Sequence, residues 1–120
     1  MERACPVLRI DDCEEAKEYY IYFLGFEIDF EWRHAEDFPV YMGVSRGGLG
    51  IHLSEHLGEP AGRPGAAYLQ VNNVLDLYAE LKGKNGDMTE ELIGQAWGWT
   101  ELKLKDPFAN QLTFTSPTPE

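Results

Sequence analysis

Apolar and polar positions alternate at the start of the chain. In ACPVLRID (Ala4 to Asp11), Leu8 and Ile10 interleave with Val7 and Arg9, the period-two pattern of a half-buried strand. The period then lengthens. Asp12 is an N-cap with Glu15 at capping-box spacing, and Ala16, Tyr19, Tyr20 and Phe23 follow at i, i+3, i+4 and i+7 before Gly25. This predicts a helix closed by a C-terminal glycine. Three further alternating runs read as strands: FEIDFEW from Phe26, FPVYMGVS from Phe38 and LGIHLS from Leu49, with a turn at Arg46-Gly47-Gly48. The order is β-α-β-β-β.

The same order recurs downstream. Ala66 to Asn72 predicts a strand, and Val74 to Lys84 a helix with Leu77, Tyr78 and Leu81 inward. Met88 to Ile93 is a weak strand; Thr100 to Lys105 and Gln111 to Thr115 are stronger, joined by a turn over Asp106 to Asn110. A shift of 61 residues lays Leu8–Gly25 on Leu69–Gly86 and Ile51-His52-Leu53 on Leu112-Thr113-Phe114, so one supersecondary unit is present twice. We expect a single domain over 1–120 of class α+β. Its tandem βαβββ modules span about 4–55 and 66–116, with a Gly- and Pro-rich linker, HLGEPAGRPG, over 56–65.

Alternation also assigns faces. If Leu8, Ile10, Leu49, Ile51, Leu53, Ala67, Leu69, Val71, Leu112 and Phe114 face the helices, the opposite face carries a polar, partly aromatic floor. That floor is Cys5, Val7 and Arg9; Gly50, His52 and Ser54; Ala66, Tyr68 and Gln70; Gln111, Thr113 and Thr115.

Composition narrows the function classes. With 21 acidic and 10 basic residues the net charge is −11, which opposes phosphate-backbone binding and favours cationic small molecules or basic partners. No apolar stretch approaches a membrane span, and the N-terminus MERACPVLRIDD lacks the basic-then-apolar order of a signal peptide. Two cysteines, Cys5 on the first strand and Cys13 at the first helix start, are too few for a disulfide framework and read as free thiols in the cytoplasm. Neither G-x-S-x-G nor H-E-x-x-H occurs, and the glycines of Gly47-Gly48-Leu49-Gly50 precede no helix that would make them a phosphate loop.

Three segments carry a family resemblance: YFLGFEIDF (Tyr22 to Phe30), SRGGLGIHLSEH (Ser45 to His56) and WGWTELKLKDPFANQLTF (Trp97 to Phe114). With the tandem βαβββ order they resemble the vicinal oxygen chelate superfamily, which contains glyoxalase I, extradiol dioxygenases and bleomycin-resistance proteins. The last segment is similar to the WG…E…DP-G-N-L-F signature of the bleomycin-resistance branch, with Ala109 in place of the turn glycine. The resemblance implies a curved mixed sheet enclosing a groove, and a homodimer, often with exchanged N-terminal strands. In metal-dependent members four ligands come from the first and last strands of each module. Here those positions are Cys5, His52, Ala66 and Thr113, of which the second pair cannot complete a catalytic centre.

Two functional classes follow. The first is a non-catalytic protein, without cofactor, that sequesters a cationic or planar aromatic small molecule of the bleomycin type. Trp97 is the stacking residue the resemblance implies, and Trp32, Phe38, Tyr41, Tyr68 and Trp99 extend its wall. Arg9, His52, Gln70, Glu101 and Thr113 supply the remaining ligand-facing groups. For His52 a bond to Tyr68 or Cys5 is the alternative role; for Arg9 it is an internal salt bridge; for the aromatics it is ordinary packing. The second class is a divalent-metal lyase, isomerase or dioxygenase using Cys5, His52 and a carboxylate such as Glu101; beside both stands a relic of the superfamily that serves only as a dimeric interaction module with an occluded groove.

Overall fold

The computed structural model describes residues 2–55 and 64–119. The predicted linker at 56–65 falls mostly outside the described residues. The first module comprises β1 (Val7–Arg9), α1 (Cys13–Lys17), a π-helical turn (Glu18–Phe23), β2 (Glu27–Arg33), β3 (Val40–Arg46) and β4 (Leu49–Ser54). The second comprises β5 (Ala66–Gln70), α2 (Val74–Lys84), β6 (Leu92–Gly94), β7 (Trp99–Lys105) and β8 (Gln111–Pro117). Each forms a mixed four-stranded sheet, ordered β1-β4-β3-β2 and β5-β8-β7-β6, with its first strand parallel to its last. The fold is α+β with two tandem modules.

Local chemistry sets the elements. Asp12 and Asn73 cap the two helices: their side chains accept the N–H groups of Glu14 and Glu15, and of Leu75 and Asp76. Gly25 follows the first helix at φ 78°, as a C-terminal glycine requires. One element differs from the pattern. The run Glu18–Phe23, expected to continue an α-helix, widens into a π-helix whose Leu24 N–H bonds the Tyr19 carbonyl at 2.9 Å. This turn buries Tyr20 completely and sets Tyr19 edge-on to Tyr20 and tilted against Phe23.

One apolar cluster spans both modules, joining Leu8, Ile10, Ile51 and Leu53 of the first to Leu69, Leu81, Leu112 and Phe114 of the second. A polar network locks them together. The Tyr20 hydroxyl donates to Asp106 Oδ2 at 2.6 Å; Asn110 Nδ2 donates to that oxygen and to the Arg9 carbonyl, while Asn110 Oδ1 accepts the Gly65 N–H. Asp106 Oδ1 accepts the backbone N–H groups of Phe108 and Asn110, which fixes the β7–β8 turn. In that turn Ala109 holds φ 68°, the left-handed conformation that glycine adopts without strain.

Two predictions follow from this turn and its partner. Ala109→Gly relieves the positive-φ strain and is expected to stabilise the fold by about 0.5–1 kcal/mol, read as a rise of a few degrees in Tm. A fall in Tm would show that the alanine conformation is unstrained. Burial, reinforced by Asp106, pushes the Tyr20 phenol far above its ordinary range, and burial does the same to Tyr19. The stability this carries is complete below about pH 10 and is lost as pH rises further, because only the unfolded chain can ionise these phenols. Ultraviolet titration is therefore expected to show both tyrosines ionising only with alkaline unfolding. Ionisation in the folded state near pH 10 would contradict their burial.

Candidate functional site

The faces fall as alternation requires. Leu8, Ile51, Leu53, Ala67, Leu69, Leu112 and Phe114 are buried on the helix side. Register brings Val7 beside His52, and Arg9 beside Ser54, on the opposite, concave face. Across the same sheet His52 meets Gly43, which meets Phe30, and Ser54 meets Tyr41, which meets Trp32. In the second sheet one row is Tyr68–Thr113–Lys103 and another Gln70–Thr115–Glu101.

The first module's concave face is aromatic. Phe30 stacks on Tyr41 and meets His52 edge-on, while His34 lies between Trp32 and Phe38. Phe30 owes its place to a bulge at Asp29, the irregularity between Ile28 and Phe30, and to Gly43, where a Cβ would lie 2.2 Å from the ring. His52 Nδ1 is 3.0 Å from the Tyr41 hydroxyl. Its partner is thus Tyr41, in place of the expected Tyr68 or Cys5, because Tyr41 occupies the adjoining strand. Arg9 forms its internal pair, with Asp11 at 3.5 Å, and its buried Nε has no hydrogen-bond partner among the described residues.

The segment before β1 closes one end of this face. Arg3 pairs with Asp29 at 3.1 Å, and Ser45 donates to the other Asp29 oxygen, which together hold that carboxylate below its ordinary range. Cys5, expected on the first strand, lies ahead of it, packed where a Cβ on Gly50 would stand 2.7 Å from its sulfur.

The second module's concave face is organised by a carboxylate. Glu101 is only 3% exposed, and its oxygens accept bonds from the Tyr68 hydroxyl at 2.7 Å and Gln95 Nε2 at 3.0 Å. Thr113 and Thr115, expected as open floor, are buried; Thr115 Oγ1 donates to the Thr100 carbonyl. Tyr68 stays 59% exposed and Gln70 exposed, Trp99 is half-buried, and Trp97, in the turn that carries Gln95, is 63% exposed.

The sequence-predicted residues therefore fall into two groups, one on each sheet. Arg9, Trp32, Phe38 and His52 belong to the first sheet; Tyr68, Gln70, Trp97, Trp99, Glu101 and Thr113 belong to the second. Among the described residues every aromatic ring contact lies within the first module. Phe30, His34, Gln95, Lys103 and Lys105 were absent from the expected set. Alternation in WTELKLK carried the signal for the lysines, since Leu102 and Leu104 point inward; the Asp29 bulge hid the phase of Phe30.

The donor set does not fit a metal. The four family positions hold Cys5, His52, Ala66 and a buried Thr113, and both oxygens of Glu101 are engaged. No group of three or more His, Cys, Asp or Glu able to hold an ion occurs among the described residues. None of the described helices is long and apolar enough to cross a membrane.

Known structures share this architecture. A bleomycin resistance determinant encoded on transposon Tn5 aligns over 98% of both chains at TM-score 0.76 and 24% identity. A bleomycin-binding protein from bleomycin-producing Streptomyces verticillus, complexed with copper(II)-bleomycin, aligns over all of this chain and 98% of its own, at TM-score 0.69 and 25% identity. A member of the glyoxalase/bleomycin resistance/dioxygenase superfamily from Sphaerobacter thermophilus aligns over 96% of this chain and 97% of its own, at TM-score 0.73 and 20% identity. No curated protein sequence matches the chain. The family model for glyoxalase superfamily proteins matches residues 1–119, and the chain belongs to that superfamily.

Proposed function

We propose that this protein binds and sequesters a planar aromatic small molecule, in the manner of the bleomycin-binding relatives, without turning it over. The observation that carries the reading is the exposure of large rings around the concave faces: Phe30, Trp32 and Phe38 on one module, Tyr68 and Trp97 on the other. Apolar rings left open to water on a concave surface are a ready stacking platform for a flat ligand. The similarity to bleomycin-binding proteins supports it.

A homodimer completes the proposal. All seven residues of the edge strand β2 are exposed, Ile28, Phe30 and Trp32 among them. An open edge strand carrying three large exposed apolar side chains invites cover, and a second copy could set the second half-site of one chain against the first half-site of the other. Each groove would then combine Trp32, Phe38, Arg9 and His52 with Tyr68, Gln70, Trp97, Trp99, Glu101 and the neighbourhood of Thr113.

Metal-free bleomycin titrated into the protein, followed by tryptophan fluorescence and calorimetry, is expected to bind saturably near one drug per chain. Trp97→Ala should weaken binding at least tenfold with Tm unchanged, since the ring is exposed. Undiminished affinity in that variant would remove Trp97 from the wall. Light scattering is expected to give twice the chain mass; a monomer would leave the half-sites separate and defeat the shared groove.

A further inference from the structure

One concave wall of this acidic protein carries two basic side chains together, Lys103 and Lys105. Of the acidic residues, Asp12, Glu14, Glu15 and Glu18 line a hollow on the helical side with Tyr19, and Asp76 and Glu80 lie on α2. The basic side chains are mostly committed: Arg3 to Asp29, Lys17 to Glu31, Arg46 and Lys84 to Glu80, Arg33 to the carbonyls of Glu36 and Phe38, Lys82 to that of Met88. Among the described residues, two basic side chains have no ion pair or hydrogen bond, Lys103 and Lys105. They stand on one face of one strand.

That face is the concave one. Leu102 and Leu104 between and beside them are buried against the helix, so both lysines project with Glu101 to the groove side. Alternate residues on a strand lie about 7 Å apart, close enough for two ammonium groups to meet on one anionic head group. Lys103 is in register with Thr113 and Tyr68, and Lys105 with Gln111 and Ala66. The neighbouring carboxylate, Glu101, is already bonded by Tyr68 and Gln95 and does not reach for either lysine.

We propose that Lys103 and Lys105 form an anion-recognition site on this wall, which takes a carboxylate, sulfonate or phosphate group where a planar aromatic ligand carries one. This rests on the groove reading above and adds an anion subsite to it. Two unpaired ammonium groups in a protein of net charge −11 make this wall the place where an anion is attracted rather than repelled. The expectation of a cationic ligand, drawn from total charge, does not carry to this wall: Asp12, Glu14, Glu15, Glu18, Asp76 and Glu80 lie on the helical side, and the concave-face carboxylates Asp29 and Glu101 are already bonded, to Arg3 and Ser45 and to Tyr68 and Gln95.

Two dyes separate the claims. 8-Anilinonaphthalene-1-sulfonate carries the sulfonate; N-phenyl-1-naphthylamine is the same ring system without it. The sulfonate dye is expected to bind at least tenfold more tightly, with affinity that falls as salt rises. The double variant Lys103→Gln/Lys105→Gln should remove that advantage and leave the neutral dye and the Tm unchanged, both side chains being exposed. Equal affinities for the two dyes, or an advantage that survives the double variant, would overturn the anion site while leaving the groove intact. The same holds if the variant merely self-associates, as expected of lysines that only guard a sheet edge. Failure of both dyes to bind would overturn the groove reading and the anion site together.

Discussion

The Asp106 carboxylate is the constraint on which the arrangement of the modules depends. It is buried and takes four donors: the Tyr20 hydroxyl from the first module, and the N–H of Phe108, the N–H of Asn110 and Asn110 Nδ2 from its own turn. A buried charge without partners would cost several kcal/mol, so these bonds hold only while the π-helical turn, the β7–β8 turn and the end of β1 stay in one relation. Asn110 ties the third of these by donating to the Arg9 carbonyl. Since Arg9 stands on the concave face one row from Val7 and His52, this network also fixes the edge of the first module's concave face.

The opposite join uses different physics. The shift that lays Ile51–Leu53 on Leu112–Phe114 places Arg46 at Pro107 and Glu80 at Tyr19. Arg46 meets Glu80 through two nitrogens, each at 2.8 Å, and donates to the Leu24 carbonyl. These bonds hold the Glu80 carboxyl below its ordinary range, but both side chains are about a third exposed, where solvent screens an ion pair. Beside them Gly47 and Gly48 stand where the other turn has Phe108 and Ala109, leaving a cavity of about 460 Å³ over Leu77 and Phe114. One join is buried and fully bonded; the other is part-exposed and borders a cavity.

Much of this was legible in the chain. The 61-residue self-match, the Asp12 and Asn73 caps and the strand alternation fix the two modules, because each rests on local chemistry. What was hidden depended on neighbours in space. The Asp29 bulge moves Phe30 and Trp32 onto one face while leaving Ile28 on the other, and no pattern in FEIDFEW marks it. His52 pairs with Tyr41 because β3 lies beside β4, a fact of sheet order rather than of spacing. Thr113 and Thr115 have the alternation of floor residues yet are buried, a consequence of packing that periodicity cannot report.

The four positions that carry metal ligands elsewhere in the superfamily show how one sheet can serve another chemistry. Their register holds in the second module, where Ala66 and Thr113 sit on adjacent, parallel strands, but each has lost the means to ligate: a methyl in one case and burial in the other. In the first module Cys5 is packed against Gly50, and His52 is bonded to Tyr41 beside the ring of Phe30. The polar and aromatic contacts of the concave faces lie instead to the sides, in Tyr68–Glu101–Gln95 on one sheet and in Trp32, His34 and Phe38 on the other. A metal site needs donors converging on one point. Here the side chains at those positions diverge, and the buried Asp106 carboxylate, bonded to Tyr20 of the other module, keeps each sheet in a fixed relation to the other.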